Sequence, residues 1–172
     1  AEWWSDRATL NAANPVPVTQ GLDTPNINAG LARGGSISGT VTDQASGNPL
    51  ESIYVTVYHS DGSWHGSDWT DANGFYTIAG LPTGSYRVRY IDWGTYAYLT
   101  EYWNDQSEFG DADPVHVTQG TDTPNINAAL TRGGTISGTV TDQATGDPLR
   151  EALITVWDGT YSWAAQGWTD WD

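Results

Sequence analysis

Four carboxylates in one short stretch are the residues best suited to bind a metal ion. They are Asp105, Glu108, Asp111 and Asp113. A hard cation such as Ca²⁺ binds where several oxygen ligands come from one short loop, although this spacing does not match an EF-hand. The sequence contains an internal repeat, and the stretch aligned with this one, residues 6–14, keeps side-chain oxygens but loses most of the charge. We expect a solvated loop and no resident cofactor, with a weak Ca²⁺ site as the alternative.

Tryptophan is the second residue type with a functional pattern. The chain has ten Trp residues, and four of them form two pairs with the same spacing: Trp64, Trp69, Trp163 and Trp168. Exposed aromatic rings stack on sugars or pack against another protein surface. Flanking Gly and Ser residues place Trp64 near a strand end or loop. Three interpretations stay open, namely packing within the fold, contact between repeat units or subunits, and sugar binding. Trp93 is equally undecided, whereas Trp4 and Trp103 are expected in the core.

A catalytic site is not indicated. The only histidines are His59, His65 and His116, and their counterparts in the other copies of the repeat are Asp158, Ala164 and Pro17. A function shared by the copies therefore cannot depend on these histidines, and we expect them at the surface. The sequence contains no Gly-x-Ser-x-Gly elbow, His-Glu-x-x-His helix or phosphate-binding loop. We predict that the protein is not an enzyme.

Charge and composition exclude several classes of partner. Acidic residues outnumber basic ones by 21 to 6, which gives a formal net charge of −15, and every basic residue is Arg. Such a surface repels nucleic acid and anionic membranes. No apolar run approaches the roughly 18 to 20 residues that span a bilayer. The chain has no Cys, so its stability must come from apolar burial and backbone pairing.

An internal repeat dominates the sequence. Residues 2–73 align without a gap on residues 101–172, a constant offset of 99 positions (101 against 2), and 40 of the 72 aligned pairs are identical. A Gly pair at positions 34 and 35, repeated at 133 and 134, marks the boundary of the unit. We therefore predict a complete unit over residues 34–132, preceded by the C-terminal part of another unit (1–33). The N-terminal part of a further unit (133–172) follows it.

Alternation at period two indicates strands with one buried face. Within the complete unit the pattern predicts about seven strands, at residues 37–41, 53–57, 75–78, 86–90, 97–103, 115–118 and 126–130. In the flanks it predicts strands at 16–18, 27–31, 135–141 and 153–157. Short strands separated by turns at this spacing favour an all-β fold. We expect tandem two-sheet antiparallel β-sandwiches, of immunoglobulin-like or transthyretin-like form, with a repeat of about 99 residues.

Four segments of the unit carry a resemblance to a known family. They are residues 35–43, 47–50, 70–76 and 80–88. In this order they resemble the bacterial carboxypeptidase regulatory-like repeat, which takes its name from accessory domains of metallocarboxypeptidases. The resemblance implies a transthyretin-like β-sandwich without peptidase activity, often present in tandem on secreted or surface proteins of bacteria.

Together these observations predict a non-catalytic structural repeat of an extracellular or cell-surface filament, stalk or adhesin. Its expected partners are adjacent repeats or copies of itself. Because strand-like segments flank the complete unit on both sides, we expect subunits to polymerise head to tail by strand complementation. The alternative is a carbohydrate-binding module that uses exposed Trp residues, with a glycan as its partner.

Overall fold

The computed structural model describes residues 10–170, and these fold almost entirely into β-structure. Their only helix is a single 3₁₀ turn at Leu10–Ala12, and none of the described helices is long and apolar enough to cross a membrane. The described chain divides into two compact units, the first ending at Gly133 and the second beginning at Gly134. Trp4, which we expected in a core, lies outside the described residues.

Nine strands build the first unit. In chain order they are β1 (Gly35–Asp43), β2 (Tyr54–His59), β3 (Trp64–Trp69), β4 (Phe75–Leu81), β5 (Gly84–Ile91), β6 (Glu101–Tyr102), β7 (Val115–Val117), β8 (Asp122–Thr123) and β9 (Ala128–Leu130). One sheet has the order β4-β1-β8, with β9 also paired to β1, and the other has the order β3-β2-β5-β6, with β7 also paired to β5. The two sheets enclose one core, which is the β-sandwich that the sequence predicts.

The prediction of a purely antiparallel sandwich is wrong at one edge. Strands β8 and β9 both run parallel to β1, whereas every other described strand pair is antiparallel. The last strands of the unit therefore follow the same direction as its first strand. As a consequence the chain enters the sandwich beside Gly35 and leaves it beside Asp43, at the opposite end of β1.

The core is formed by the inward side chains of both sheets. Its fully buried members include Ile37, Val41, Val55, Val57, Tyr76, Leu81, Tyr86, Val88, Tyr90 and Leu130. The hydroxyls of Tyr76 and Tyr90 donate to the Ile126 carbonyl at 2.6 and 3.0 Å, so these polar atoms are paired inside the core. Trp103 packs against this core, as predicted from the sequence.

Two strand predictions in the first unit needed correction. Strand β3 was not predicted, because its sequence Trp-His-Gly-Ser-Asp-Trp shows no apolar alternation. The predicted strand at 97–103 shrinks to Glu101–Tyr102, because Tyr98 forms only a single bridge to Arg132. Pairing with neighbouring strands, which sequence periodicity does not report, decided both cases.

The second unit is a hairpin of β10 (Leu153–Trp157) and β11 (Trp163–Trp168). These strands start 99 positions after β2 and β3 (153 against 54, 163 against 64). The predictions of strands at 16–18, 27–31 and 135–141 are wrong for this structure, in which no strand covers those residues. A strand needs a hydrogen-bonding neighbour as well as an alternating sequence, and these segments have no such neighbour apart from a single bridge between Thr141 and Pro148.

Candidate interaction surface

The outer face of the second sheet carries an aromatic cluster. Tyr54 on β2 lies opposite Trp69 on β3, and Trp93 follows β5 on the other side of Tyr54. The Tyr54 ring centroid lies 4.6 Å from that of Trp69 and 5.2 Å from that of Trp93, with the Trp93 ring stacked at 30°. Tyr54 is therefore held between two indoles, each of which keeps about half of its surface exposed.

This geometry separates the roles of the predicted Trp residues. Trp69 packs against Tyr54 and leaves about half of its surface exposed, and Trp93 does the same. Trp64 is 60% exposed and makes no aromatic ring contact among the described residues. In the second unit, Trp163 and Trp168 on β11 are also exposed.

The acidic loop is an insertion in the edge of the second sheet. Strands β6 and β7 both pair antiparallel with β5, and residues 103–114 bulge out between them. The neck of the loop is closed by two backbone hydrogen bonds, from the Trp103 amide to the Val88 carbonyl (3.0 Å) and from the Asp113 amide to the Trp103 carbonyl (2.9 Å). The loop is thus anchored where the edge strand is interrupted.

Arg87 holds the interior of this loop. Its Nη1 donates to the carbonyl oxygens of Phe109 (2.7 Å), Gly110 (3.2 Å) and Ala112, and the guanidinium lies 5.1 Å from the Phe109 ring centroid. A calcium ion in a loop of this kind would use several such carbonyl oxygens. Here these oxygens are already bound to the positive charge of Arg87. The strand prediction at 86–90 covers Arg87 but does not indicate these contacts, which join residues 22 to 25 positions apart.

The four predicted calcium ligands are not gathered into a site. Asp105, Glu108, Asp111 and Asp113 are all exposed, and no group of three or more His, Asp or Glu side chains in residues 10–170 is placed to hold a metal ion. The residues present therefore do not form a calcium site in this arrangement. Calcium binding by this loop stays a prediction that would require the loop to rearrange.

Glu101 lies beside this loop and is half-buried. Loss of hydration, with a smaller contribution from the Asp105 carboxylate, raises its pKa to about 7. Ionised Glu101 is therefore disfavoured in the fold, and its contribution to stability is lost as the pH rises through about 7. We expect Glu101→Gln to raise the free energy of unfolding at pH 8 by on the order of 1 kcal/mol and to have little effect at pH 4. Urea unfolding at both pH values tests this, with the exposed Glu108→Gln as control.

Asp43 is a buried carboxylate at the point where the chain leaves the first unit. Its Oδ2 accepts hydrogen bonds from the Tyr98 hydroxyl (2.7 Å) and Arg132 Nε (2.8 Å), and its Oδ1 accepts from the backbone amides of Ala45 and Ser46. The bonds from Tyr98 and Arg132 hold the pKa of Asp43 well below its usual range. This cluster fastens the end of β1 to the connection that follows β9.

Two of the three histidines form a pair at one end of the core. His65 Nδ1 lies 2.9 Å from His59 Nε2, and both rings contact Tyr86. Both side chains are partly buried, so the expectation of surface histidines fails for this pair. His116 is exposed as expected and shares a hydrogen bond with Ser85 Oγ at 2.8 Å. The pair could not be anticipated from local periodicity, because the strand that carries His65 shows no apolar alternation.

The histidine pair makes stability depend on pH. Burial, and then the neighbouring His59, lower the pKa of His65 below its ordinary value of about 6.5. Below pH 6.5 the unfolded chain binds more protons than the folded chain, so stability falls as the pH drops from about 7 to 5. The Asp61 carboxylate interacts with His59, and the Tyr86 ring contacts both imidazoles while its hydroxyl donates to the Pro82 carbonyl. Thermal unfolding of His65→Phe should show a weaker pH dependence over this range, whereas the exposed His116→Gln should behave as the parent.

Comparison with known proteins identifies the first unit. The family model of the carboxypeptidase regulatory-like domain matches residues 36–131. No curated protein sequence matches the chain. Among solved structures, the chain is similar to the TIE protein of Bacillus anthracis, with a TM-score of 0.42 and 15% identity over 81% of this chain and 24% of that protein.

Two pilins are also similar in structure. The minor pilin of Streptococcus agalactiae gives a TM-score of 0.41 and 16% identity over 63% of this chain and 48% of the pilin. A streptococcal ancillary pilin gives a TM-score of 0.43 and 16% identity over 75% of this chain and 42% of that pilin. The chain thus spans less than half the length of each of these proteins. The family match covers more than half of the chain, and the chain therefore belongs to the carboxypeptidase regulatory-like domain family.

Proposed function

We propose that the chain is a structural repeat of an extracellular or cell-surface filament, stalk or adhesin, in which β-sandwiches follow one another along a line. The observation that carries this proposal is the parallel pairing of β9 with β1. Because of it, the chain enters a unit at one end of β1 and leaves at the other, about 30 Å away at the usual rise per strand residue. Entry and exit at opposite ends of one strand suit a repeat that extends a linear array.

The exit from the unit is held firmly, which suits a load-bearing spacer. The Arg132 side chain bonds to Asp43 and stacks over the Tyr98 ring at 5.2 Å. The Gly133 amide donates to the Ala97 carbonyl at 2.8 Å. These bonds hold the chain in place as far as Gly133, so the linker that follows is expected to be short and the array semi-rigid.

The finer proposal is that copies of the chain polymerise by strand complementation. The strand-like segments on both sides of the first unit expose apolar residues, among them Val18, Ile27, Leu31 and Ile136. Apolar residues with strand periodicity and free backbone groups are templates for β-augmentation. The proposed partner is therefore a second copy of this chain.

Electron microscopy of the full chain over a range of concentrations tests this function. We expect elongated assemblies one sandwich wide, which lengthen as the concentration rises. Sedimentation of the same samples should show a growing fraction of large species. Compact monomers at every concentration would contradict the proposal.

A second candidate function is supported by the exposed indole faces of Trp69 and Trp93. Indole faces stack on sugar rings, so a glycan is the alternative ligand of the outer sheet face. Binding to a panel of polysaccharides, lost in Trp69→Ala and Trp93→Ala, would support this role. Phe75→Ala is the matched control, because Phe75 is an exposed aromatic residue on the other sheet. Absence of binding to every sugar would leave the structural function alone.

A further inference from the structure

We infer that residues 23–33 of one copy pair in parallel with residues 135–142 of a second copy, in the register that β8 and β9 adopt against β1. The inference rests on the proposed polymerisation and specifies its junction. In the first unit, Thr42 lies opposite Ala129, and Asp43 lies opposite Leu130. The corresponding pairs between two copies are Thr141 with Gly30, and Asp142 with Leu31.

The side chains that hold this edge together in the first unit recur in the two flanking segments. Ser36 and Ser38 donate to the Asp122 carboxylate, each at 2.7 Å, and the Thr40 amide donates to the Asn127 side-chain oxygen at 2.9 Å. On the donor side, the counterparts are Thr135, Ser137 and Thr139. On the acceptor side, they are Asp23 and Asn28. Each of these hydrogen bonds can therefore form again between copies.

The ion pair at the end of the edge recurs as well. Arg132 bonds to Asp43 at 2.8 Å, and the counterparts of these residues are Arg33 and Asp142. Asp142 makes the same turn as Asp43, accepting bonds from two backbone amides through Oδ1. The other carboxylate oxygen of Asp43, Oδ2, is the one that accepts from Arg132 in the first unit. The two flanking segments thus carry opposite charges at matched positions.

Burial shows that these segments are suited to an apolar partner. Ile37 and Leu130 are 0% exposed in the first unit, whereas their counterparts Ile136 and Leu31 are 81% and 73% exposed. Pairing of the two segments would cover both side chains.

Gly39 allows the backbone at Ile126 to come close to β1, and Gly138 stands at the same repeat position. A Cβ atom on Gly39 would lie 2.1 Å from the Ile126 carbonyl oxygen, whereas a Cβ on Gly138 would meet nothing within 4 Å. The counterpart of Ile126 is Ile27. Gly138 therefore keeps open the space that the Ile27 backbone of a second copy needs.

The segment before residues 34–132 and the segment after them are attached at opposite ends of β1. A contact between the first segment of one copy and the second segment of another copy is therefore heterologous, and such a contact repeats to give an open filament.

Disulfide trapping tests the register, since the chain has no cysteine of its own. One preparation carries Gly30→Cys and another, distinguishable by mass, carries Thr141→Cys. After mixing, assembly and mild oxidation, we expect a disulfide-linked heterodimer on a non-reducing gel. The control mixture uses Thr139→Cys in place of Thr141→Cys. It should give about tenfold less heterodimer, because its Cα atoms would lie beyond the roughly 7 Å that a disulfide can bridge.

A second variant separates this junction from the proposed function. Gly138→Val should abolish the assemblies and leave the unfolding transition of the first unit unchanged, while Gly159→Val, also with open space around its Cβ, should assemble as the parent. Filaments without the heterodimer, or filaments from Gly138→Val, would overturn the junction but leave the structural function intact. Absence of filaments together with a trapped heterodimer would support the junction and overturn the filament function. Absence of both would overturn both.

Discussion

Replacing Gly39 with alanine is expected to lower the free energy of unfolding of the first unit by about 3 kcal/mol or more. The added Cβ would lie 2.1 Å from the carbonyl oxygen of Ile126, and also close to its carbonyl carbon at 2.6 Å. Both atoms belong to the backbone, so no flexible side chain can move aside. That carbonyl also accepts the hydroxyls of Tyr76 and Tyr90, and a shift of the chain would disturb these bonds.

Gly138→Ala is the matched control for this experiment. It makes the same change at the same repeat position, but a Cβ there meets nothing within 4 Å. Urea unfolding followed by far-UV circular dichroism should therefore show a parent-like transition for Gly138→Ala under conditions in which the chain is monomeric. Equal transitions for the two variants would contradict the close approach of Gly39 to Ile126.

Replacing Arg87 with methionine is expected to free the loop at residues 103–114 and to cost about 3 kcal/mol of stability. Three loop carbonyls lose a charged donor, and a hydrogen bond to a charged group contributes about 1.5 to 3 kcal/mol. Met retains most of the apolar length of Arg, so the loss reflects the guanidinium. Hydrogen exchange should increase within the loop, and limited proteolysis should cut there first.

Arg89→Met is the control on the same strand face. Arg89 lies two residues after Arg87 on β5, and its guanidinium lies 5.6 Å from the Tyr102 ring centroid. Its Nε is buried without a hydrogen-bond partner, so replacing it removes an unsatisfied polar atom. We expect Arg89→Met to change stability by less than about 1 kcal/mol. An equal loss for both variants would show that Arg87 acts only through packing.

The strands of the core were predictable from sequence because alternation reports directly on burial. Ile37, Val55 and Val88 lie at alternating positions, and all three are fully buried. The family resemblance was carried by such strands together with the turns that follow them, and the family match confirms it over residues 36–131. Strand β3 was not predicted because its own sequence has no apolar alternation. It belongs to the sheet through its hydrogen bonds to β2.

The sites depended on contacts between residues distant in sequence. Arg87 and the Ala112 carbonyl are 25 residues apart, and Asp43 and Arg132 are 89 apart. No local pattern relates such residues, so the acidic loop suggested a metal site where the fold places an arginine. The two histidines are only six residues apart, and their contact was missed for a different reason, because strand β3, which carries His65, has no apolar alternation.

The 99-position offset between residues 2–73 and 101–172, and the alternation that marks inward-facing positions, can be read from the amino-acid sequence alone, because spacing and periodicity are properties of the chain. Only the tertiary structure decided which copies of those positions are buried. Leu130 lies inside because β9 has β1 as its neighbour, whereas Leu31, at the same repeat position, is exposed because no strand lies beside it. The physical reason is that a strand pairs and buries its side chains only against another strand, and the sequence does not say which strand that is.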